Sequence, residues 1–252
     1  MTRQIRIAAA GDIHASVATR ARLSEAFASL DAGVDLVLLA GDLTTHGDPE
    51  QAAVCAAAAR YVSVPVVAVL GNHDHHEGRG DEVRAALSDG GVVVLDRAAT
   101  VLDVDGVDVG IVGTKGFVGG FAGSSLPDFG EPLLRRVYAE TTEEVLALER
   151  GLQAVAGSPL RIVLLHYAPT DETLAGEPAG IHTYLGSGRL ATPIAEYQPD
   201  LVLHGHAHAG SFEGRIGNTP VYNVAVHVTR RDFYVFDLDV TPRQASVEVE
   251  TR

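Results

Sequence analysis

The sequence predicts an α/β fold with a mixed sheet core, formed as one domain over residues 1–252. Three observations predict it. Apolar runs that suit strands buried on both faces alternate with helical patterns at crossover spacing. Each of these runs stops at a cluster of polar residues, most of them beside a glycine. Towards the end of the chain the texture changes to short runs that alternate apolar and polar, as half-exposed strands do.

Taken in order, Ile5–Ala10 reads as a strand that ends at Gly11-Asp12-Ile13-His14. Residues 18–30 follow as a helix, with Ala18, Leu23, Ala26, Phe27 and Leu30 on one face. Val34–Ala40 is the second strand and ends at Gly41-Asp42. Asp48 suits the N-cap and Pro49 the first turn of the next helix. Val66–Leu70 runs straight into Gly71-Asn72-His73-Asp74-His75-His76, and Asp81–Leu87 reads as a short helix. Val92–Leu95, Thr100–Val104 and Val107–Val112 look like an antiparallel meander. The glycine-rich stretch Gly113–Gly123 is not a phosphate-binding P-loop, because no Gly-Lys-Ser/Thr follows at the required spacing. Thr141–Ala156 is predicted as a helix, and Arg161–Leu165 as a buried strand ending at His166. A long loop over 167–188 and a short helix near 189–196 lead to Leu201–Leu203, which ends at His204-Gly205-His206-Ala207-His208. Pro220–Val226, Phe233–Val240 and Ala245–Val249 complete the predicted strands. No internal repeat and no linker marks a domain boundary.

Composition narrows the function classes. The chain is 46% hydrophobic, enough for a sizeable core, and no apolar run approaches the roughly 18 residues of a membrane-spanning helix. The formal net charge of −14 argues against non-specific binding to nucleic acid or an anionic membrane. A phosphate substrate stays open, since bound metal ions reverse the sign locally. The amino terminus enters a strand-like run with no signal-peptide segment, and the single cysteine, Cys55, fits a reducing compartment, so a cytoplasmic location is expected. Eleven histidines stand against one lysine, Lys115. Histidine is the commonest metal ligand, so where the histidines fall is informative.

They fall at strand ends. Five buried-looking strands terminate in metal-capable side chains: Asp12 and His14, Asp42, Asn72 and His73, His166, and His206 and His208. Ligands of open α/β proteins gather beyond the carboxyl ends of strands. A glycine beside four of the five clusters lets the backbone turn sharply and approach a ligand. Mixed imidazole and oxygen donors without thiolate suit manganese, iron or zinc better than magnesium or calcium.

At these five blocks the chain resembles the calcineurin-like metallophosphoesterase superfamily. Gly11-Asp12-Ile13-His14, Gly41-Asp42, Gly71-Asn72-His73-Asp74, His166 and Gly205-His206-Ala207-His208 occur in the expected order over about residues 10–210. The resemblance implies a four-layer αββα sandwich with two mixed β-sheets. It also implies two divalent metal ions, manganese or iron first and zinc third. Asp12, His14, Asp42 and His208 would bind one ion, and Asn72, His166 and His206 the other, with Asp42 bridging. Two ions roughly 3.5–4 Å apart can clamp a phosphoryl group and supply an activated hydroxide. His73 would steady the transition state or protonate the leaving oxygen.

The second block departs from relatives of the Ser/Thr protein phosphatases, which continue Gly-Asp-x-x-Asp-Arg-Gly. Here Thr45 and His46 stand where those proteins have a carboxylate and an arginine. Protein phosphatase activity is therefore not expected. Asp74 becomes the candidate to orient His73, and His46 and His182 become candidates to contact substrate. His75 and His76 read as solvated bystanders, and His204 as a core residue or one that supports the ligands from behind. Tyr184 lies with His182 in the long loop between two ligand blocks, which reads either as substrate recognition or as plain connection. Lys115 with the Gly113–Gly123 loop reads either as cleft lining or as a flexible surface loop.

The Gly-Asp-Leu and Gly-Asn-His-Asp variants look most like the bacterial cyclic-nucleotide phosphodiesterase branch. The expected activity is thus metal-dependent hydrolysis of a small phosphodiester, a cyclic nucleotide included, or of a phosphomonoester. The competing reading is a non-catalytic protein-interaction module on the same fold, which would be expected to lose ligands that this chain retains.

Overall fold

The computed structural model describes residues 2–30 and 33–241. Two sheets stack face to face, each covered on its outer side by helices. The first sheet is ordered β13-β1-β2-β3-β4, from Tyr234–Val240 (β13), Arg3–Ala10 (β1), Leu36–Ala40 (β2), Val66–Val69 (β3) and Val93–Val94 (β4). β1 through β4 are parallel, and β13 pairs antiparallel with β1. The second sheet is ordered β11-β12-β10-β9-β6-β5, from Glu213–Ile216, Thr219–Asn223, Leu201–His204, Leu160–Leu164, Val107–Gly113 and Ala98–Val104. Its four inner strands β12, β10, β9 and β6 are parallel, and both edge strands pair antiparallel. A small hairpin, Gly120–Phe121 (β7) with Ser124–Ser125 (β8), lies apart from both.

The period-2 alternation of strands assigns the layers. Ile5, Ile7 and Ala9 of β1 face the second sheet and share one core with Leu36, Leu38, Val109, Ile111, Ile162 and Leu203. Ala8 and Ala10 face the other way, onto helices α1 (Arg20–Ala28), α2 (Pro49–Ala59) and α3 (Gly80–Asp89), through Phe27, Cys55 and Leu87. Val112, Val163 and Val202 of the second sheet face α4 (Pro132–Ala154) and α6 (Ala191–Tyr197). The short helix α5 (His182–Leu185) lies between these two helices in sequence. Each buried aliphatic side chain contributes about 1.5–3 kcal/mol, so the three-part core holds the layers in register. The architecture is the four-layer αββα sandwich.

Several boundaries differ from the sequence expectation. The helix predicted from Thr141 starts at Pro132, because Leu133 and Leu134 face solvent and leave no apolar stripe to read. Val93–Val94 extends the first sheet in parallel, so the expected meander reduces to the β5–β6 hairpin. The strand expected to reach Val226 stops at Asn223 and turns into α7 (Val226–Thr229). The long loop at 167–188 contains short helical turns. The predicted cap at Asp48 is present: its carboxylate accepts the Glu50 N–H at 2.9 Å, with Pro49 in the first turn. The strand expected at Ala245–Val249 lies outside the described residues.

Candidate metal centre

The carboxyl ends of β1, β2, β3, β9 and β10 meet at one edge of the sandwich. There Gly11 of the first sheet exchanges hydrogen bonds with the segment after β12 of the second, its N–H donating to Val224 O at 2.9 Å and its carbonyl accepting from Val226 N–H at 3.0 Å. Further bonds tie neighbouring loops within each sheet. Asp12 N–H donates to Gly41 O at 3.0 Å, His14 N–H to Asp42 O at 3.0 Å, and Gly205 N–H to His166 O at 3.1 Å. Four of the seven expected ligands adopt positive φ: Asp12 at 57°, His14 at 44°, Asp42 at 50° and His206 at 70°. A non-glycine residue there is strained by about 1–2 kcal/mol. Strain that clusters on one set of side chains marks a site rather than a loop. Close packing explains the adjacent glycines. A Cβ on Gly41, at φ +80°, would lie 2.5 Å from the His166 ring, and one on Gly71 would lie 2.1 Å from Asp42 Oδ1.

The side chains form three overlapping donor groups: Asp12, His14 and His208; His14, Asp42 and His73; and Asp42, His166 and His206. Asp42 belongs to two of them, and Asn72 Oδ1 lies 2.8 Å from His166 Nε2. Asp12 and Asp42 are 1% exposed, and His166 is fully buried. Buried donors of this kind need a positive partner, and the tautomers show where it belongs. His166 Nδ1 lies 2.9 Å from the Ala40 carbonyl, so that nitrogen carries the proton. His166 Nε2 then points at Asn72 Oδ1, 2.8 Å away, and at Asp42 Oδ1, 3.3 Å away. A ring nitrogen and two side-chain oxygens thus converge on one point, an arrangement that a bound cation satisfies. His206 is fixed in the same way, its Nε2 3.2 Å from the Tyr184 carbonyl. The donor set therefore fits divalent metal.

Electrostatics agree with that fit. Burial alone would raise the Asp12 pKa. The His208 hydrogen bond at 2.9 Å and the neighbouring imidazoles of His166 and His208 outweigh it and hold Asp12 at about 2. Burial, then His166, pushes His206 down to about 3, and burial pushes His14 down as well. The carboxylate stays charged and those imidazoles stay neutral, which is the ligand form of each.

His73 stands beside this cluster. Its backbone N–H donates to Asp42 Oδ1 at 2.8 Å, and its Nδ1 donates to the Thr45 carbonyl at 2.8 Å. Nε2 is left facing the site, 3.9 Å from Asp42 Oδ2. The orienting partner is thus a backbone carbonyl and not Asp74, the expected one. Asp74 is fully buried and accepts four hydrogen bonds, from Leu43 N, Thr44 N, Thr44 Oγ1 and Gly71 N, at 2.7–3.1 Å. It ties the second block to the third. His75 and His76 are both exposed, as expected, and the His76 ring lies 4.3 Å from that of His73. His46 is exposed, and its backbone N–H donates to Gln51 Oε1. His182 is half-buried with Nε2 3.2 Å from the Glu177 carbonyl. His204 is buried between the Gly205 carbonyl and Thr173 Oγ1, both at 2.8 Å, and burial pushes its pKa down to about 4.

Two side chains at the site escape the sequence reading. His227 in α7 stacks on His208, and Tyr167 packs its ring 4.4 Å from that of His206. Tyr167 directly follows a ligand candidate and could have been found by that adjacency. His227 has no motif around it.

Imidazole and oxygen donors on strained strand ends, between the sheets of an αββα sandwich, define a metallohydrolase architecture. The chain belongs to the calcineurin-like phosphoesterase family, whose model matches residues 5–210. No curated protein matches the sequence. Among solved structures, the phosphopantetheinyl hydrolase PptH of Mycobacterium tuberculosis aligns over 95% of this chain and 97% of its own, at 16% identity and a TM-score of 0.69. The protein TT1561 of Thermus thermophilus aligns over 88% of this chain and 89% of its own, at 19% identity and a TM-score of 0.57. A putative 5′-nucleotidase of Staphylococcus aureus aligns over 98% of this chain and 56% of its own, at 15% identity and a TM-score of 0.57. At these identities the likeness is one of fold. Among the described residues, no helix is long and apolar enough to cross a membrane.

Proposed function

We propose that this chain is a metal-dependent phosphoesterase that hydrolyses a small phosphodiester, or a phosphomonoester, at a centre for two divalent ions. The observation that carries the reading is Asp42, a buried carboxylate that belongs to two donor groups at once. Asp12, His14, Asp42 and His208 would hold one ion, and Asp42, Asn72, His166 and His206 the other. When bound, the ions supply charge neutralisation of the phosphoryl group and a water acidic enough to attack near neutral pH.

The chain's own groups do the rest. Asp12 and Asp42 are held in place by backbone N–H groups, His206 on Asp12 at 2.9 Å and His73 on Asp42 at 2.8 Å, so the donors are preorganised. His73 Nδ1 keeps its proton on the Thr45 carbonyl, so the imidazolium form would deliver its Nε2 proton to the leaving oxygen and return to the neutral ring. A general acid of this kind accounts for about 10²–10⁴ in rate.

The test is hydrolysis of bis(4-nitrophenyl) phosphate and 4-nitrophenyl phosphate with manganese, and with chelator as control. Turnover of the diester above the monoester supports the diesterase reading. Activity on neither, with metal bound, moves the chain to the interaction-module reading. His73→Ala should lower kcat by about 10²-fold or more with metal content unchanged. Loss of metal from that variant would make His73 a ligand instead.

A further inference from the structure

A sixth strand end reaches the ligand edge, and it carries the chain's one lysine. β6 runs parallel to β9, so Gly113-Thr114-Lys115 leaves its sheet in the same direction as His166. The Lys115 carbonyl accepts the N–H groups of both His166 and Tyr167, at 3.1 and 3.0 Å. Its ammonium lies 4.3 Å from the Phe117 ring centroid and 5.2 Å from that of Tyr167. The Tyr167 ring in turn is 4.4 Å from His206 and 5.4 Å from His166. An unbroken wall of rings therefore connects the ammonium to the metal-ligand cluster.

The ammonium itself is short of partners. It donates one hydrogen bond, to the Gly116 carbonyl at 3.2 Å, and forms no ion pair among the described residues. The acids whose fields reach it are engaged elsewhere. Glu144 accepts from the Thr114 hydroxyl, from Gly116 N–H at 2.9 Å and from Arg97 at 2.9 Å, and Glu140 accepts from Arg97. Burial pulls the Lys115 pKa down against the opposing charges of Glu144 and Glu140. A half-buried cation with two unused N–H donors is stabilised when an anion takes them. The aromatic faces supply a platform beneath it for an organic group.

We propose that Lys115, above the Phe117 and Tyr167 rings, forms a second anion subsite beside the metal centre. The preferred substrates are then phosphoesters whose organic part bears a further negative group, a carboxylate or a second phosphate. The proposal rests on the phosphoesterase reading and deepens it: the metal centre takes the reacting phosphoryl group, and Lys115 takes the other charge. This subsite would be a cationic feature on a chain whose formal net charge is −14, so its contribution is to selectivity within the cleft and not to long-range attraction.

Three esters test it: phenyl phosphate, 4-carboxyphenyl phosphate and benzene-1,4-diyl bisphosphate, with manganese-loaded protein. The wild type should show a KM at least about tenfold lower for one or both charged esters than for phenyl phosphate, and whichever falls further identifies the anion. Lys115→Gln should abolish that difference, with KM for phenyl phosphate and metal content within about twofold of wild type, the change expected when a single charge-assisted contact is lost. Lys115→Arg should restore part of it and checks that position 115 tolerates substitution. Equal KM values in the wild type, or a Lys115→Gln variant that raises all three alike, would overturn the proposal. If the wild type turns over none of the esters, the hydrolase reading fails on its own. Calorimetric titration with phenyl phosphate and 4-carboxyphenyl phosphate then still decides the subsite, and equal affinities would reject it.

Discussion

The His227 imidazole lies flat on that of His208, with ring centroids 4.0 Å apart and planes 14° apart. Three other imidazoles of the cluster are steered by backbone carbonyls, His166 by Ala40, His206 by Tyr184 and His73 by Thr45. The side chain of His208 has its Nε2 contact with Asp12 and is otherwise 40% exposed. The stacked ring therefore restricts its rotation where a carbonyl restricts the others. Outer contacts to a metal ligand are worth about 10–100-fold in metal affinity. His227→Ala should weaken binding of one of two manganese ions by that factor in a calorimetric titration, and His227→Phe, which keeps the stack, should not. His227 Nδ1 is buried without a hydrogen bond, so the phenylalanine variant should also melt no lower than wild type. Identical manganese affinities in all three proteins would show that the stack positions nothing.

Asp74 holds the second and third blocks together, and its removal should be read in stability before activity. Asp74→Ala leaves the N–H groups of Leu43, Thr44 and Gly71 buried without an acceptor. Each such orphan costs about 1–3 kcal/mol, so a loss of about 3 kcal/mol or more is expected in urea unfolding. Asparagine is no rescue, because its NH₂ would face two N–H donors on the Oδ2 side, Leu43 and Gly71. An Asp74→Asn protein of wild-type stability with depressed turnover would return Asp74 to the orienting role.

The ligand blocks are legible in sequence because strand ends place their ligands within one or two residues of each other, as in Asp12–His14 and His206–His208. The layers are legible because buried parallel strands leave unbroken apolar runs such as Leu36–Ala40. What is not legible depends on contacts between distant segments. The Thr45 carbonyl belongs to a backbone every residue has, so nothing in the side chain announces its hold on His73. The stack of His227 on His208 depends on the chain turning into α7 after Asn223, where alternation alone suggests that the strand goes on. The first half of α4 is hidden for the opposite reason: Leu133 and Leu134 are 64% and 48% exposed, and an apolar residue in solvent gives no face to a helix.

Cys55 reports on the core between the first sheet and its helices. It is fully buried in α2, and burial, then the charge of Asp74, pushes its thiol up to about 12. The folded pKa is raised above the unfolded one, so this group favours the folded state at neutral pH. That contribution is complete below the ordinary thiol value of about 8.5 and declines as pH rises towards the folded value. Two outcomes follow. Stability measured by urea should fall between about pH 9 and pH 12 more steeply in wild type than in Cys55→Ala. At pH 8 a thiol reagent should label Cys55 only at the rate of unfolding, and fast labelling of folded protein would mean that the α2 face is open.

The contact between Gly71 and Asp42 separates a steric requirement of the site from a general tolerance of the fold. A methyl group on Gly71 would sit 2.1 Å from Asp42 Oδ1 and 2.3 Å from Asp42 N. Neither atom is the end of a flexible chain: the carboxylate also accepts from His73 N–H at 2.8 Å, and the backbone of Asp42 is already at φ +50°. Gly71→Ala must therefore displace the carboxylate common to two donor groups. Overpacking of this kind costs about 1–3 kcal/mol, and the displacement should remove stoichiometric manganese binding as well. Gly157, which has open space where its Cβ would be, provides the control. Gly157→Ala should stay within about 0.5 kcal/mol of wild type and bind manganese normally. If Gly71→Ala binds two manganese ions with wild-type affinity, then Asp42 is not the shared ligand, and the dinuclear reading loses the observation on which it stands.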